Sequence, residues 1–492
     1  MTTEHWRPLL HFTPQRHWIN DPNGLTWHEG EYHLFYQTNP QGSVWGHMSW
    51  GHAVSTDLLH WQELPLAIAE DPQWMIFSGS VVADTANCSG FGRGGVVPLV
   101  AVYTGSAQQA GPDGSHRQSQ HLAYSLDRGR SWTKFAGNPV LDLGGGGFRD
   151  PKVFWHAGTE RWIMLVSMAD EGWLRLFQSA DLKSWQPLSE FRQDVPGGSV
   201  WECPDLLELG IEGESGTAWL LKWDVFRGHP GGGSGALGIV GRFDGTHFNA
   251  TQPPEWLDGG MDFYAAIAFG VMPPGDPRRV WLGWMNSHHY GQHTPTHPWR
   301  GAMTLPRELT LVRTGGSLQV AQRPVRELLT CRGPVRTPDL VATGSGTHVL
   351  VPAGELPAAW ELEIVVQADS SEGWALCLAH PQDQGAVVTI ELHRASAMLS
   401  LTRGPAGLGP DVAGFYGTRR RPWPGAGAAV AGLHVVVDAC SVEVFSADGT
   451  VVLTEQIFPR PAPLSLTLRS DREVRLQNAR WWPLGRRPPR RA

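Results

Sequence analysis

Three acidic residues, each within two positions of a proline, have the types and the placement that acid–base chemistry requires. Asp21 lies in HWINDPNG, Asp150 lies in FRDPKV, and Glu202 lies in WECPDL. A residue before proline is biased towards extended backbone, and an alternating run typical of a strand comes after it in each case. We therefore expect the three side chains to occupy equivalent positions in three similar structural units.

Carboxylates that converge on one place favour a catalytic site. Like charges repel, so clustering raises the pKa of at least one carboxyl group and is costly unless the cluster is used. Glycoside hydrolysis uses such a cluster: one carboxylate attacks or activates water, and another donates a proton to the leaving oxygen. A third can stabilise developing positive charge. The alternatives are a turn-capping role for each acid singly and a metal site, but no histidine or EF-hand spacing accompanies the acids.

A loose repeat indicates how the acids are positioned. Four segments combine a short alternating run, a polar turn with an aspartate, and an aromatic residue: HAVSTDLLHW, HLAYSLDRGRSW, LRLFQSADLKSW and LGIVGRFDGTHF. Aspartate suits such turns because its side chain accepts hydrogen bonds from nearby backbone N–H groups. Repeated small antiparallel sheets are typical of a β-propeller, and an irregular β-sandwich is the alternative. The four turn aspartates are Asp57, Asp127, Asp181 and Asp244.

A fifth unit is predicted from MDFYAAIAF, RRVWLGWMN and AMTLPRELTL. The prediction is therefore an all-β fold that begins with a five-bladed β-propeller over residues 1–315. The first strand of each blade lines the central channel of a propeller. Because the three acids stand at first strands, we expect them to face one funnel.

The pattern changes towards the C-terminus. Residues 316–338 are predicted to be a linker, and alternating runs such as WELEIVV and VTIELH then predict a two-sheet β-sandwich over residues 339–485. SADGT, between two of these runs, is a hairpin signal. The Pro- and Arg-rich residues 486–492 are predicted to be a disordered tail.

Composition excludes several classes of protein. The 492 residues carry a formal net charge of −8, which does not favour a nucleic-acid partner. No run supplies the roughly 18–20 apolar residues of a membrane-spanning helix.

The N-terminus does not resemble a secretory signal, and five separated cysteines without CxxC are typical of free thiols. We expect a cytoplasmic protein, or a secreted one if a signal has been removed; the oligomeric state is not predicted.

HWINDPNG, FSGS, FRDPKV and WECPD, in that order, resemble the motifs of glycoside hydrolase family 32, the β-fructosidases that include invertases, levanases and exo-inulinases. The resemblance extends over nearly the whole chain through GHMSWGHA, DFYAA, PWRG and VVVDACSVEVFSADG. It implies a five-bladed propeller followed by a sandwich, the same fold as the repeats predict. It also implies a fructoside substrate, and no metal or organic cofactor.

The resemblance assigns a role to each acid. Asp21 resembles the nucleophile that attacks C2 of the fructosyl unit, Glu202 the general acid/base, and Asp150 the transition-state stabiliser. The family is retaining, so Asp21 and Glu202 are expected within about 5–5.5 Å of each other. The neighbouring carboxylates are expected to raise the pKa of Glu202.

The resemblance also implies a polar pocket with aromatic walls around a terminal fructose. Cys203, next to the acid/base, is interpreted as a small buried packing residue. The alternative for the aromatic members of the pocket is a place in the core. The residues that match the family's fructose-contacting positions are Asn20, Gln37, Trp45, Phe77, Ser78, Arg149, Tyr264 and Trp299.

The predicted function is a retaining exo-β-fructosidase that releases terminal fructose from sucrose, fructo-oligosaccharides, inulin or levan. A fructosyltransferase of the same family and a non-catalytic fructan-binding protein are the alternatives. One segment departs from the pattern: WMNSHHY (284–290) replaces the WMSNWxY of many levanase-like members. The histidines of this segment and its continuation, His288, His289, His293 and His297, are interpreted as a substrate-side loop that bears on the leaving group.

Overall fold

The computed structural model describes residues 3–195, 200–338, 342–368, 373–382 and 385–485. Among these residues no helix combines the length and the apolar character needed to cross a membrane. The predicted tail, 486–492, lies outside the described residues, as does residue 339, the predicted start of the sandwich.

The first two thirds of the chain form small antiparallel sheets. In chain order the strands are β1 (His17–His28), β2 (Glu31–Asn39), β3 (Ser49–Ser55), β4 (Trp61–Ile68), β5 (Trp74–Ala83), β6 (Leu99–Ala110), β7 (His116–Ser125), β8 (Thr133–Lys134), β9 (Leu141–Asp142), β10 (Phe148–His156), β11 (Arg161–Met168), β12 (Trp173–Ser179), β13 (Gln186–Phe191), β14 (Trp201–Gly210), β15 (Thr217–Val225), β16 (Gly235–Phe243), β17 (Phe248–Ala250), β18 (Glu255–Trp256), β19 (Tyr264–Ala268), β20 (Arg279–Met285), β21 (Trp299–Arg300), β22 (Ala302–Met303), β23 (Arg307–Thr314) and β24 (Ser317–Pro324).

These strands make five blades around one axis. The main strand orders are β1-β2-β3-β4, β5-β6-β7-β8, β10-β11-β12-β13, β14-β15-β16-β17 and β19-β20-β23-β24. The first strands contact one another in a closed ring, β1 to β5 to β10 to β14 to β19 and back to β1. The predicted five-bladed propeller is therefore confirmed, with the first strand of each blade innermost.

The repeated turn aspartates cap the same outer hairpin in blades one to four. Each side chain accepts a hydrogen bond from the backbone N–H three or four residues later, at 2.7–2.9 Å. These bonds use the short aspartate side chain in place of a backbone turn bond, which is why the repeat is visible in the sequence. The four are Asp57, Asp127, Asp181 and Asp244.

The end of the propeller differs from the prediction. The predicted linker begins at residue 316, but Ser317–Pro324 is the outer strand of the fifth blade and pairs with Arg307–Thr314. Gly315 and Gly316, at the predicted end of the domain, have φ of 57° and 94° and form a two-residue hairpin turn. Glycine adopts two such angles in succession without strain, as a two-residue hairpin turn requires, so the pair marks a turn inside the blade.

The remaining strands form the predicted two-sheet sandwich, and each of its sheets has six strands. They are β25 (Ala342–Thr343), β26 (Gly346–Val351), β27 (Trp360–Ala368), β28 (Trp374–Ala379), β29 (Val388–His393), β30 (Met398–Arg403), β31 (Gly417–Pro422), β32 (Val430–Asp438), β33 (Ser441–Ser446), β34 (Val452–Gln456), β35 (Ser465–Ser470) and β36 (Val474–Pro483). The strand orders are β25-β36-β27-β32-β33-β34 and β26-β35-β28-β29-β30-β31. Short 3₁₀ helices occupy Glu4–Trp6, Ala169–Glu171, Gly291–His293, Arg326–Cys331 and Pro424–Gly427.

Buried charges join the two domains. Arg307, in the fifth blade, donates to Glu443 of the sandwich at 2.5 Å and to Asp258 at 3.1 Å. His11, from the N-terminal segment, contacts Glu443 at 2.8 Å and Asp438 at 2.9 Å. Burial lowers the pKa of His11, but its hydrogen bonds to the two carboxylates outweigh burial and raise that pKa to about 9. The sandwich is therefore bonded to the propeller and to the N-terminal segment by buried ion pairs.

Candidate active site

Every innermost strand carries a β-bulge close to its N-terminal end. A bulge inserts one extra residue, turns the local side chains and occurs often beside active sites. In the pairing of each inner strand with its neighbour, the register shifts between Ile19 and Pro22, Ile76 and Gly79, Arg149 and Lys152, Glu202 and Asp205, and Tyr264 and Ile267. The predicted site residues on these strands lie within or at the edge of the five bulges.

The bulges hold unusual backbone angles. Asp150, Cys203 and Ala265 have φ of 65°, 45° and 53°, in the left-handed region that non-glycine residues rarely adopt. Proline comes directly after Asp150 and Cys203, and a bulge tolerates proline because it needs no ladder N–H there. Side-chain hydrogen bonds at the centre of the ring hold Asp150 and Cys203 in these strained positions.

Asp21, from the first blade, is oriented by two neighbouring side chains. Ser78 of the second blade donates its hydroxyl to Oδ2 at 2.6 Å, and Asn20 donates its amide to Oδ1 at 3.1 Å. Asn20 is itself fixed, because Trp18 donates its indole N–H to Asn20 at 2.8 Å. Asp21 is only partly buried, so its carboxylate is held firmly and still open to the funnel.

Glu202, from the fourth blade, is bonded on both oxygens. Arg149 donates two N–H groups to Oε1, at 2.9 and 3.1 Å. Tyr264 of the fifth blade donates its hydroxyl to Oε2 at 2.5 Å. Three blades thus contribute to the surroundings of one carboxylate.

Asp150 lies deepest of the three acids, at 7% exposure. Its Oδ2 accepts the backbone N–H of Cys203 at 3.0 Å, and its own N–H donates to the Thr104 hydroxyl at 3.0 Å. The Cys203 sulfur lies 3.5 Å from Asp21 Oδ2 and 3.7 Å from Asp150 Oδ2. Cys203 is buried, as predicted, and it lies between the two aspartates. The structure therefore brings the three predicted acids together.

The pKa values of Asp150 and Glu202 are shifted in opposite directions, and the shift at Glu202 is not the one expected. Burial raises the pKa of Asp150 to about 7, with the negative charges of Glu202 and Asp21 adding to the effect against Arg149. For Glu202 burial acts in the same direction, but Arg149, His288 and the Tyr264 hydroxyl outweigh it, and the pKa lies below its ordinary value. The prediction of a raised pKa at Glu202 was therefore wrong. The reason is that Arg149 and Tyr264 both donate to the charged form.

Two further ionisable residues, Lys222 and Asp224, lie behind Glu202 and were not predicted. Lys222 is fully buried, contacts Asp224, and donates to the Cys203 carbonyl at 3.0 Å. Asp224 is opposite Glu202 in the pairing of β14 with β15. Burial raises the pKa of Asp224 to about 8, although Lys222 opposes the shift. The signal in the sequence was LLKWDV, in which two charges two residues apart share one face of an otherwise apolar strand.

Two of the predicted pocket residues, Gln37 and Trp45, differ in how far they are buried. Gln37 is buried and donates to the Ile76 carbonyl at 3.0 Å, beside the bulge of the second blade. Trp45 is 42% exposed and packs edge-on against Phe77, with ring centroids 6.0 Å apart. Trp45 therefore lies at the surface and not in the core.

Trp299 occupies a different environment. It is 2% exposed and belongs to the buried cluster that contains Tyr290, Phe415 and Phe458, between the propeller and the sandwich. Its strand pairs with β1 at His17. Trp299 thus packs in the core here, and a fructose contact for it stays a prediction.

The histidine loop reaches the site through one residue. His288 Nε2 lies 4.0 Å from Glu202 Oε2. The ring packs against Tyr264 at 4.8 Å and Trp284 at 5.1 Å between centroids. Of the four histidines in this segment, His288 is the one placed beside a predicted acid.

Comparison with known proteins finds one glycosidase family over most of the chain. Residues 11–324 match the N-terminal domain of glycosyl hydrolases family 32, and residues 339–483 match the family's C-terminal domain. A levanase of Bacillus subtilis is 41% identical over 474 residues, which cover 94% of this chain and 68% of that protein. The crystal structure of an exo-inulinase from Aspergillus awamori has a TM-score of 0.89 at 35% identity and covers 98% of both chains. A fructofuranosidase from Schwanniomyces occidentalis complexed with fructose has a TM-score of 0.86 at 29% identity, covering 99% of this chain and 100% of that one.

Proposed function

Because the chain belongs to glycosyl hydrolase family 32, we propose that it is a retaining exo-β-fructosidase. The chain is a glycoside hydrolase of the β-fructosidase type. The finer proposal is that it releases terminal non-reducing β-D-fructofuranosyl residues from sucrose, fructo-oligosaccharides, inulin or levan. The supporting observation is the convergence of three carboxylates from three blades, each with different hydrogen-bond partners.

Each carboxylate has a role that its surroundings suit. Asp21 is held by Ser78 and Asn20 at 2.6 and 3.1 Å and is open to the funnel, as a nucleophile at C2 must be. Glu202 protonates the leaving oxygen in the first step and takes a proton from water in the second. Asp150, at the bottom of the funnel, accepts hydrogen bonds from fructose hydroxyls and stabilises the positive charge that develops at C2.

The pKa shifts of the acids before substrate binds are compatible with these roles. With the pKa of Asp150 raised to about 7 and that of Glu202 lowered, Asp150 holds a proton more readily than Glu202 does before substrate binds. The two groups interact, so their titration belongs to the pair. Substrate hydroxyls that bond to Asp150 favour its charged form and shift the proton towards Glu202, where the leaving oxygen needs it.

Arg149→Gln is expected to move the alkaline limb of the pH profile of kcat/KM to higher pH, by about one unit or more. Arg149 lowers the pKa of both Glu202 and Asp150, so its removal lets the site keep its proton to a higher pH. The quantity to measure is the position of the limb, because the height also falls when Arg149 no longer binds substrate. Arg161→Gln, on an exposed end of the same blade, is the control and should leave the limb in place. A limb that does not move in Arg149→Gln would contradict the assignment.

The proposed function is tested by a substrate panel with all products resolved: sucrose, raffinose, kestose, inulin and levan. The expected result is release of single fructose units from the chain ends, without early internal fragments. Proton NMR at early times should show β-fructofuranose first, because double displacement retains configuration. Release of the α anomer first would overturn the retaining mechanism, and internal fragments would overturn the exo mode.

A further inference from the structure

We infer that Arg403, a residue of the sandwich, positions the Tyr264 hydroxyl against the acid/base Glu202, so that the second domain takes part in forming the active site. The inference rests on the proposed function and assigns a positioning residue to it. It starts from the two side chains of the fifth blade that lie at Oε2 of Glu202. Tyr264 donates its hydroxyl to this oxygen at 2.5 Å, and His288 Nε2 lies 4.0 Å from it.

The segment that leads into the inner strand of the fifth blade is bonded to the sandwich. Gly259 donates its backbone N–H to the Val452 carbonyl at 2.8 Å, and Asp262 donates its own to the Thr454 carbonyl at 3.2 Å. Between these two bonds, a Cβ atom at Gly260 would overlap the Thr454 carbonyl oxygen, so glycine is needed for the two backbones to lie this close. The start of this inner strand is therefore fixed by a strand of the other domain.

Arg403 joins the two ends of the chain segment that carries Tyr264 and His288. Its guanidinium donates to Asp262 at 2.7 Å and to the Tyr290 hydroxyl at 2.9 Å. The Tyr290 hydroxyl itself donates to Asp262 at 2.8 Å, which completes a triangle of hydrogen bonds. Asp262 comes two residues before Tyr264, and Tyr290 comes two residues after His288. The triangle therefore fixes the chain on both sides of the pair that faces the acid/base.

The triangle is buried, so it is stable only while each member keeps its partners. Arg403 is 2% exposed, and Asp262 and Tyr290 are 0% exposed. Arg403 also forms an ion pair with Glu455 at 2.8 Å. Burial raises the pKa of Glu455 to about 7 and raises that of Asp262, and Arg403 opposes the shift at both carboxyls. Removing the guanidinium leaves two buried carboxyls without their main partner, and we expect this to displace the segment that carries Tyr264.

Displacement of Tyr264 has a defined effect on Glu202. The Tyr264 hydroxyl donates to the charged form of that carboxyl and lowers its pKa, and the charge of His288 acts in the same direction. A loosened Tyr264 therefore lets Glu202 keep its proton to a higher pH. The ionisable groups around Glu202 are Asp21 from the first blade, Arg149 and Asp150 from the third, Asp224 and its partner Lys222 from the same blade as Glu202, and Tyr264 and His288 from the fifth. Of these, the two from the fifth blade stand on the segment that Arg403 holds at both ends.

The test is the pH profile of kcat/KM on sucrose for Arg403→Met, Tyr264→Phe and the double variant. Tyr264→Phe removes the hydrogen bond itself and should move the alkaline limb to higher pH by about one unit, since a hydrogen bond to a charged group contributes about that much. Arg403→Met should move the limb in the same direction by up to the same amount. Added to Tyr264→Phe, it should move the limb clearly less than it does alone, because the two changes act through one hydroxyl.

A purely structural role for Arg403 would not give this result. A variant that is only destabilised unfolds first at the pH extremes, so its alkaline limb moves to lower pH. Tyr290→Phe is the second variant, because it keeps the aromatic ring and removes only the hydroxyl that links Arg403 with Asp262. It should move the limb to higher pH even if Arg403→Met does not fold.

Arg332→Met is the matched control. Arg332 also bonds to two carboxylates of the sandwich, Glu361 and Glu363, at 2.7 and 2.6 Å, but it belongs to the segment that follows the propeller. Its alkaline limb should coincide with that of the wild type, whatever happens to its stability.

The inference is overturned if Tyr290→Phe leaves the limb in place, if Arg403→Met moves it equally with and without Tyr264→Phe, or if Arg332→Met moves it as far. The proposed function stands in each of these cases. A wild-type enzyme that releases neither glucose nor fructose from sucrose, raffinose, kestose, inulin or levan would overturn the proposed function, and the inference with it.

Discussion

Asp21→Asn is expected to lower kcat on sucrose by about four orders of magnitude or more, because no other carboxylate can form the fructosyl intermediate from the same position. The fold should remain intact. The asparagine carbonyl can still accept from Asn20, and the Ser78 hydroxyl can rotate to accept from the new amide, so both contacts of Asp21 have a replacement. The measurement is steady-state glucose release alongside a thermal unfolding curve.

Asp57→Asn is the matched control, since Asp57 caps an outer turn of the same blade. Its kcat should equal that of the wild type, whatever the change in stability. Ordinary turnover by Asp21→Asn would refute the role of Asp21 and would favour catalysis by another group. Equal losses in both variants would point to damage to the blade and not to the site.

Arg307→Ala should produce the largest loss of stability, about 3–5 kcal/mol in the free energy of unfolding. Arg307 is fully buried and donates to Glu443, Asp258 and Thr454. Its removal leaves Glu443 and Asp258 as buried carboxylates without their guanidinium partner. A urea titration followed by fluorescence would measure the shift in the unfolding midpoint.

Arg313→Ala provides the comparison within the same strand. Arg313 pairs with Glu214 at 2.7 Å, but its side chain is 46% exposed. Exposed pairs of this kind contribute about 1 kcal/mol or less, so the midpoint should move little. If the two variants have the same midpoint, the buried charges do not stabilise the contact between the domains.

Residues whose effect is local are the ones whose roles can be predicted from sequence. Asp57 and its equivalents form bonds to backbone groups within four residues, so a single segment contains the whole signal. The Gly315–Gly316 pair led to a domain boundary placed too early, because glycine is common both in hairpin turns and at the ends of domains. The pair forms a hairpin here because Ser317–Pro324 pairs with Arg307–Thr314, and a local glycine motif does not contain that information.

For the candidate active site, too, only the features that depend on neighbouring residues in the sequence could be predicted. Asp21, Asp150 and Glu202 are identifiable because each stands beside or near proline at the start of a strand. The direction of the pKa shift at Glu202 was not predictable, because it depends on Arg149 and Tyr264, which arrive from other blades. Trp299 matches a family position by sequence, yet its surroundings include aromatic residues of the sandwich that no local motif contains.

The five bulges have a consequence for how such a chain can change over many generations. Side-chain direction in a strand alternates with every residue, so losing or gaining one residue next to an acid reverses the facing of the rest of that strand. The inner strands therefore tolerate exchange of one amino acid for another far better than any change in their length. Insertions and deletions should accumulate in the outer hairpins and connecting loops, leaving the spacing within motifs such as NDPNG, FRDP and WECP constant among functional descendants.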